Sequence, residues 1–508
     1  MSDVNPGQEP LPVIPADDLG QFTAEPLTPQ PAILERKGHP IIAWIVICLC
    51  VAFILRQQFL PAAQGEQQDE TISLINMKMQ AKYLVGCGAL LGKNAAFAGQ
   101  AKNLNTGPID QRLRAIVLEG ELSGPKAALD ALKDLQNRIA SNQQNPTATQ
   151  IKLMGVLRRL YEDYANDKWD APTLTVEERT FLRRELDWFG ELALAPSGGP
   201  NAEARAAVLR PAYRTVFAYA GGLGLAVIVG LGGLVGLSIF LVLLFRGRLQ
   251  RGVYCGSFHG SVYAEAFALW LAMFIGLSYS ARYIPKAWLP EGDARFAATI
   301  FLECLTLCAV FWPVLRGVPW TQVRWEVGLN PGRRPALEPF IGLAGNAMAI
   351  PLLGLGVLLM VLLILLRNHL HPTGSPADNF NPSDLPSHPI VKELSRGNWK
   401  EYLELFVLAS IVAPIVEETM FRGVLYRHLR EATCNMSYPL SVFLSACVVS
   451  FIFAVIHPQG FLGVPPLMAL AFVFSLLREW RGTLVPGMVA HGVNNGVVLL
   501  ISIVAMAD

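Results

Sequence analysis

Nine apolar segments, separated by polar connections, constrain most strongly what this chain of 508 residues can fold into. They cover residues 41–55, 215–245, 262–280, 296–315, 340–366, 403–416, 440–456, 467–477 and 484–505. A helix needs about 20 predominantly apolar residues to cross a bilayer, and most of the segments approach that length, although the eighth is short. Because 52% of the residues are hydrophobic and only 16% are charged, we predict an all-α, polytopic membrane protein with about nine transmembrane helices.

The chain before the second apolar segment divides into three parts. Residues 1–35 are rich in proline and acidic residues and lack a periodic apolar pattern, which is typical of a disordered tail. Residues 36–56 form the first transmembrane anchor, because no small-residue cleavage site of a signal peptide follows the apolar run. Residues 57–212 are polar, and in stretches such as 127–139 apolar residues recur every three or four positions. We therefore expect a helical extramembrane domain, whose partner the sequence does not identify.

The remaining chain divides into residues 213–398, with helices 2–5 and a connecting loop, and residues 399–508, with helices 6–9. Lysine and arginine concentrate in short loops on the cytoplasmic side of membrane proteins. With a cytoplasmic N-terminus, that side has fourteen such residues in its short connections and the other side has seven. We therefore expect a multi-pass protein of the cell membrane, with the extramembrane domain outside the cell.

Charge and cysteine usage exclude some partners and sites. A net charge of +1 gives no indication of nucleic acid binding, so we expect membrane lipid and a peptide or membrane-protein substrate as partners. Of the eight cysteines, only Cys87 lies in the long polar region, which excludes a disulfide within that region of one chain. No CxxC pair occurs, so a structural zinc site of that type is not indicated.

Three ionisable side chains follow the sixth apolar segment, in Pro414-Ile-Val-Glu-Glu-Thr-Met-Phe-Arg-Gly423. Charged groups at membrane depth are costly, so they are usually paired, face inward and serve function. Glu418 and Arg422 are four residues apart and share a helix face, so they can pair. Glu417 points about 100° away from its neighbour and is left to face another group. We predict that Glu418 and Arg422 are structural and that Glu417 carries chemistry.

Two more polar groups lie in otherwise apolar helices, Phe453-Ala-Val-Ile-His457 and His491-Gly-Val-Asn-Asn495. If one helix runs from about 399 to 430, Glu417 lies roughly 20 Å above its inner end and His457 roughly 25 Å above that of the next helix. His491 and Asn495 are four apart and share a face. We therefore expect the three groups to meet within the membrane.

Such a set supports hydrolysis of a peptide bond. A glutamate in a low-dielectric site can take a proton from water with the help of an imidazole, and a histidine with an asparagine can donate hydrogen bonds to an oxyanion. The same atoms could form a zinc site of Glu417, His457 and His491 with a fourth position for water. The residues alone leave both alternatives open.

The motifs Glu-Glu-x-x-x-Arg, Phe-x-x-x-His and His-x-x-x-Asn, in this order on separate helices, resemble the CPBP intramembrane protease family. This family includes CAAX prenyl proteases of the Rce1 type and bacteriocin-processing or immunity proteins (Abi). The resemblance covers about residues 399–506, and it implies a membrane-embedded endopeptidase. The long N-terminal extension departs from the family pattern and leaves the substrate open, prenylated CAAX proteins included.

The resemblance also implies roles for individual residues. Glu417 and His457 would activate water, and His491 and Asn495 would form the oxyanion site. The supporting residues would be Glu418, Arg422 and Phe453, the last through packing. The family pattern favours a metal-free glutamate mechanism, which requires no cofactor, with zinc as the alternative.

Two other functions compete with a protease. A non-catalytic immunity or scaffold protein of the same family would keep these residues for packing alone. A proton-coupled transporter would use them as a relay, although the sequence shows no inverted repeat of the kind common in transporters. Three further polar residues in the spans, Glu265, Glu303 and Asn346, are isolated in sequence, and we expect them to form hydrogen bonds between helices.

Overall fold

The structure, a computed structural model, describes residues 38–59, 70–92, 94–141, 145–170, 172–249, 251–254, 259–280, 292–370 and 398–506. The predicted tail over residues 1–35, and most of the loop between the fifth and sixth apolar segments, lie outside these ranges. The described residues form helices, turns and bends, without a β-strand. The expectation of an all-α polytopic membrane protein is therefore confirmed.

A single helix, α1 (Pro40–Phe59), precedes a group of seven helices between residues 70 and 194. These are α2 (Glu70–Leu91), α3 (Ala98–Asn103), α4 (Ile109–Ser123), α5 (Pro125–Ser141), α6 (Ala148–Ala165), α7 (Val176–Leu186) and α8 (Trp188–Leu194). They pack around one core, in which Leu113, Leu157 and Leu182 are fully buried. Capping boxes begin α6 at Thr147 and α7 at Thr175, and each provides acceptors for the backbone N–H groups of the N-cap residue and of the third helical residue. We call α2–α8 the helical domain.

The helix α9 (Ala202–Phe245) connects the helical domain to the membrane region. Its 44 residues correspond to about 66 Å of helix, which is twice the thickness of a bilayer core. Val208 and Ala212, near its beginning, are buried in the core of the helical domain. The apolar span of 215–245 is therefore the second part of a helix whose first part belongs to that domain.

The remaining helices follow in order. They are α10 (Val262–Ser280), α11 (Gly292–Thr306) with a 3₁₀ turn (Leu307–Phe311), α12 (Trp312–Leu315), α13 (Trp320–Val327), α14 (Glu338–Leu370), α15 (Trp399–Val407), α16 (Ala413–Glu418), α17 (Tyr426–Ala432), α18 (Tyr438–Ile456), α19 (Gly460–Arg481) and α20 (Val485–Met506). The described residues contain seven helical stretches long and apolar enough to cross a membrane, and α10 is a shorter apolar helix. The sixth predicted span, 403–416, lies within the interrupted helical stretch 399–432.

Two bounds differ from the sequence-based expectation. The eighth segment, expected to be short, is a 22-residue helix that begins at Gly460 and includes Pro465 and Pro466. Those prolines lie in its second turn, and α19 continues past them. The fourth segment is shared between α11, the 3₁₀ turn and α12 instead of forming one α-helix.

Alternating directions place the ends of five long helices next to the helical domain. Because α1 leads into that domain and α9 leads out of it, the C-terminal ends of α1, α10, α14, α18 and α20 lie on the same side of the membrane region. We call it the domain side. At the opposite side, Glu479 on α19 accepts hydrogen bonds from Arg430 Nε and Tyr426 Oη on α17, each at 2.9 Å. These buried contacts hold the C-terminal end of the 399–432 stretch in place.

Candidate active site

The stretch 399–432, which we call the glutamate helix, is one continuous helical rod with two π-helical segments. The first is Leu408–Val412 and the second is Thr419–Leu425, so the segments lie on both sides of the glutamate pair. Pro414 lacks an N–H, so the carbonyl of Ser410 loses its usual partner four residues on, which favours a wider turn at this point. Single π-helical turns often occur at functional sites, because they shift the side chains that follow.

Glycine allows α20 to approach the first π-helical segment. A Cβ atom on Gly492 would lie 2.3 Å from the carbonyl oxygen of Ser410, which no larger residue could accept without a shift of backbone. The neighbouring carbonyl, that of Ala409, accepts a hydrogen bond from Asn495 Nδ2 at 2.8 Å. The close contact therefore brings the face of α20 that holds His491 and Asn495 against the glutamate helix.

Glu418 is completely buried and has two partners. Its Oε1 atom is 2.9 Å from Arg422 Nη1 and 3.0 Å from His491 Nδ1. The guanidinium of Arg422 also donates to the carbonyl of Ala471 at 3.2 Å and lies 4.5 Å from the ring centroid of Phe453. Glu418 thus pairs with Arg422, as helical spacing predicts, and it also positions a histidine of another helix.

Glu417 has a different environment from its neighbour. Its side chain is 23% exposed, against 0% for Glu418. Its Oε2 atom is 3.8 Å from His457 Nε2 and 3.7 Å from His491 Nε2. That oxygen is buried and has no hydrogen-bond partner among the described residues. A buried carboxylate oxygen without a hydrogen bond is costly, so such atoms call for an explanation such as water or substrate.

The tautomer of each histidine follows from the partner of its other ring nitrogen. His457 Nδ1 is 2.6 Å from the carbonyl oxygen of Phe453, which can only accept. His491 Nδ1 faces Glu418 Oε1, which as a carboxylate also accepts. Both Nδ1 atoms therefore carry the proton in the neutral ring, and both Nε2 lone pairs point towards Glu417.

Aromatic rings enclose the two histidines. The ring centroid of Phe453 is 4.2 Å from that of His457 and 5.8 Å from that of His491. On the other side Phe474 stacks on His491, with centroids 5.3 Å apart. The rings hold the imidazoles in fixed orientations and surround the charged groups with an apolar shell.

These residues line a cavity of ≈ 750 Å³. Its wall includes Glu417, His457, His491 and Asn495, together with side chains of α2, α9, α10, α11, α14 and α19. The polar or charged residues that line it beyond the predicted set are Asn76, Gln80, Tyr219, Glu303, Gln459, Asn494 and Ser502. A cavity of this size with a few convergent polar groups is the usual form of a small binding site.

The cavity wall contains a second carboxylate outside the predicted set. Glu303, on α11, lines the cavity together with Glu417. Glu265 and Asn346 do bond other helices, through Trp312 Nε1 at 2.9 Å and the carbonyl of Ala490 at 3.0 Å. The position of Glu303 inside an apolar span could have indicated that it lines the cavity. The sequence around Asn76 and Gln80 gives no such indication.

The zinc alternative requires that Glu417, His457 and His491 surround one metal ion. Within the described part of the chain, no group of three or more His, Cys, Asp or Glu side chains is arranged to hold a metal ion. Glu417, His457 and His491 face one another, but they do not form such a group.

Comparison with known proteins gives one match. Residues 399–497 match the family model described as type II CAAX prenyl endopeptidase Rce1-like. No curated protein and no solved structure matches the chain. The matched residues contain Glu417, His457, His491 and Asn495 and exclude the helical domain. The part of the chain that holds the candidate site is therefore similar to the type II CAAX prenyl endopeptidases of the Rce1-like family.

Proposed function

We propose that the chain is an intramembrane endopeptidase that hydrolyses a peptide bond at or within the bilayer, with Glu417 as general base and without a metal ion. The observation that carries this proposal is the position of Glu417 Oε2, which is buried, has no hydrogen bond among the described residues, and faces two histidine Nε2 atoms inside a cavity. If Glu417 served only to pack helices, its buried oxygen without a hydrogen bond would destabilise the fold, and no interaction would offset that loss.

The space between Glu417 and His457 can hold one water molecule. Separations of 3.7 and 3.8 Å are too long for direct hydrogen bonds between the carboxylate and the imidazoles. A water oxygen can lie about 2.8 Å from both Glu417 Oε2 and His457 Nε2. It would donate one hydrogen to Glu417 Oε2 and the other to the Nε2 lone pair of His457, so its own lone pair would point to the substrate.

The reaction then follows in two steps. Glu417 takes a proton from the water as its oxygen forms a bond to the carbonyl carbon of the substrate, and the carbonyl electron pair moves to the oxygen. When the tetrahedral intermediate collapses, the carbonyl re-forms, the carbon–nitrogen bond breaks, and Glu417 returns the proton to the leaving nitrogen. The products are one carboxylic acid and one amine, from one peptide bond and one water.

Asn495 and His491 would stabilise the negative oxygen of the intermediate. Asn495 Nδ2 has two hydrogens, of which the contact with Ala409 uses one. His491 Nε2 can donate only when the ring is protonated, because Nδ1–H is held by Glu418.

We propose further that the helical domain lies outside the bilayer and that the N-terminus of the chain is cytoplasmic. The length of α9 supports the first part, because a bilayer covers only half of it. The distribution of lysine and arginine supports the second part.

A cleavage assay on the full chain tests the proposal. The protein is purified in detergent and incubated with a peptide library, and new termini are identified by mass spectrometry. Cleavage is expected for the native chain and is expected to disappear in Glu417→Ala and His491→Ala. Glu404→Ala is the control, because it removes a carboxylate from the same helix outside the cavity. Cleavage that persists in both site variants would exclude the proposed site.

A further inference from the structure

The helix α2 contributes to two different surfaces. Met77 and Ala81 are buried in the core of the helical domain. Asn76, Met79 and Gln80 line the cavity that holds Glu417. Positions 76, 79 and 80 are three and four residues apart and therefore share one face of the helix. The helical domain thus forms part of the wall of the candidate active site.

Several contacts fix α2 in this position. A Cβ atom on Gly86 would lie 2.7 Å from the carbonyl oxygen of Ala212, so α2 packs directly on the backbone of α9. Lys78 Nζ forms an ion pair with Asp187 at 2.5 Å, between α2 and the start of α8. The ammonium of Lys82 lies 5.9 Å from a ring of Trp188. The cavity-facing side of α2 is therefore held by the helical domain as a rigid wall.

The polar residues of this wall lie at the domain-side end of the cavity. Gln459 lies between α18 and α19, at the domain-side end of both helices, and it also lines the cavity. Its Oε1 atom is buried and has no hydrogen-bond partner among the described residues. Asn76 and Gln80 face the same space from α2. Three amide side chains therefore line the domain-side end of the cavity.

Amide side chains are suited to an extended peptide. Each has a carbonyl that accepts and an NH₂ that donates, which matches the alternating carbonyl and N–H groups of a peptide backbone. A substrate chain inside an apolar cavity needs such partners, because its backbone groups lose water there. These amides need no charged partner, so this end of the cavity is suited to bind the peptide backbone and not charged side chains of the substrate.

We propose that Asn76 and Gln80, with Gln459, determine specificity by hydrogen-bonding the backbone of the substrate segment that leads from the cleaved bond towards the helical domain. This inference rests on the proposed endopeptidase function and adds a role for the helical domain. The substrate is then a polypeptide with an extended flank on the domain side, and the flank contributes to binding. The chemistry at Glu417 is unchanged by it.

The first experiment compares two peptides that share the cleaved bond, one with the flank and one truncated next to that bond. In the full chain, Asn76→Ala combined with Gln80→Ala is expected to raise KM for the long peptide about 10-fold to 100-fold, the equivalent of two lost hydrogen bonds. Neither kcat for the long peptide nor kcat/KM for the truncated peptide should change. The matched control is Gln136→Ala combined with Asn137→Ala, two exposed amides on α5.

A photo-crosslink provides a second readout that does not depend on turnover. The photoreactive residue p-benzoylphenylalanine replaces Met79 in the full chain that also contains Glu417→Gln, and it is expected to crosslink to the long peptide. The same residue in place of Ile151, which is exposed on α6, is expected to give no crosslink. A crosslink at Ile151 equal to that at Met79 would contradict the inference.

The outcomes separate the two proposals. If the native chain cleaves and the α2 variant cleaves both peptides with native KM, the inference is wrong and the proposed function stands. If the variant loses activity equally on both peptides, its effect is structural, and the inference is wrong as well. If the native chain cleaves no peptide, the proposed function fails, and the crosslink at Met79 alone decides whether α2 binds an extended chain.

Discussion

Glu418 Oε1 lies 3.0 Å from His491 Nδ1, so a fully buried carboxylate on one helix orients an imidazole on another. The same oxygen lies 2.9 Å from Arg422 Nη1. The glutamate pair thereby divides its tasks, because Glu418 holds two side chains in place while Glu417 faces the cavity with both histidines.

The first prediction concerns the buried ion pair. Glu418→Gln leaves the guanidinium of Arg422 buried without its counter-charge, and such a loss costs about 3–5 kcal/mol of folding free energy. Glu418→Gln combined with Arg422→Met removes both charges and should recover most of that stability. Thermal unfolding in detergent measures both variants. Activity should stay low in the double variant, because His491 has lost the carboxylate acceptor of its Nδ1 proton; recovery of activity together with stability would contradict the orienting role.

The second prediction separates the oxyanion site from ordinary helix packing. Asn495→Ala is expected to lower kcat about 10²–10³-fold, the usual cost of one oxyanion donor. Asn346→Ala is the matched control, since Asn346 also donates to a helix carbonyl, that of Ala490, at 3.0 Å. Both variants should lose similar stability, and kcat should fall in the first alone. Equal kcat values in the two variants would show that Asn495 only packs helices.

The third prediction concerns the close contact between α20 and the glutamate helix. In Gly492→Ala the new Cβ would lie 2.3 Å from the carbonyl oxygen of Ser410, so the helices must separate. Overpacking of this kind costs about 1–3 kcal/mol, and it moves His491 away from Glu418. In Gly232→Ala, on α9, the new Cβ meets no heavy atom within 4 Å. Unfolding temperature and activity should both fall in Gly492→Ala and should remain native in Gly232→Ala.

The fourth prediction concerns metal ions. Because the proposed mechanism lets Glu417 act on water without a metal ion, activity should survive prolonged treatment with strong chelators, and elemental analysis of the active protein should find no stoichiometric zinc. Loss of activity on chelation, restored by added zinc, would replace the metal-free mechanism with a zinc-dependent one.

The fifth prediction concerns orientation in the membrane. A membrane-impermeant label directed to an accessible cysteine introduced at Asn137, an exposed residue of the helical domain, should react in intact cells. A cysteine introduced at Arg333, in the short connection before α14, should react only after the membrane is opened. The reverse pattern would place the helical domain in the cytoplasm.

The sequence predicted the parts of the site that are encoded locally. Helical spacing alone separates Glu418 from Glu417 and pairs the former with Arg422, because four residues make about one turn. The depth of Glu417 and His457 followed from counting residues along two helices. The contact between Glu418 and His491 was not predicted, since it depends on how α20 packs. Gly492 allows that packing, but a glycine in the sequence does not by itself indicate a close contact between helices.

Other features depend on contacts between residues distant in sequence. Asn76 and Gln80 are separated from Glu417 by more than three hundred positions, and they are ordinary polar residues of a helix until α2 is placed on α9. Glu303 gave a signal, an acidic residue within an apolar span, but periodicity does not tell whether such a side chain faces another helix or a cavity. The π-helical segments also escaped prediction, because a proline within a helix can kink it or widen a turn.

The most direct test of the central role of Glu417 is a comparison of kcat/KM for Glu417→Gln and Glu404→Gln, with folding of both checked by thermal unfolding. The amide has nearly the same shape as the carboxylate but cannot take a proton from water. We predict that Glu417→Gln lowers kcat/KM about 10²–10⁴-fold, the usual contribution of a general base. Glu404→Gln should keep native activity. A folded Glu417→Gln protein with kcat/KM within twofold of the native value would contradict the account.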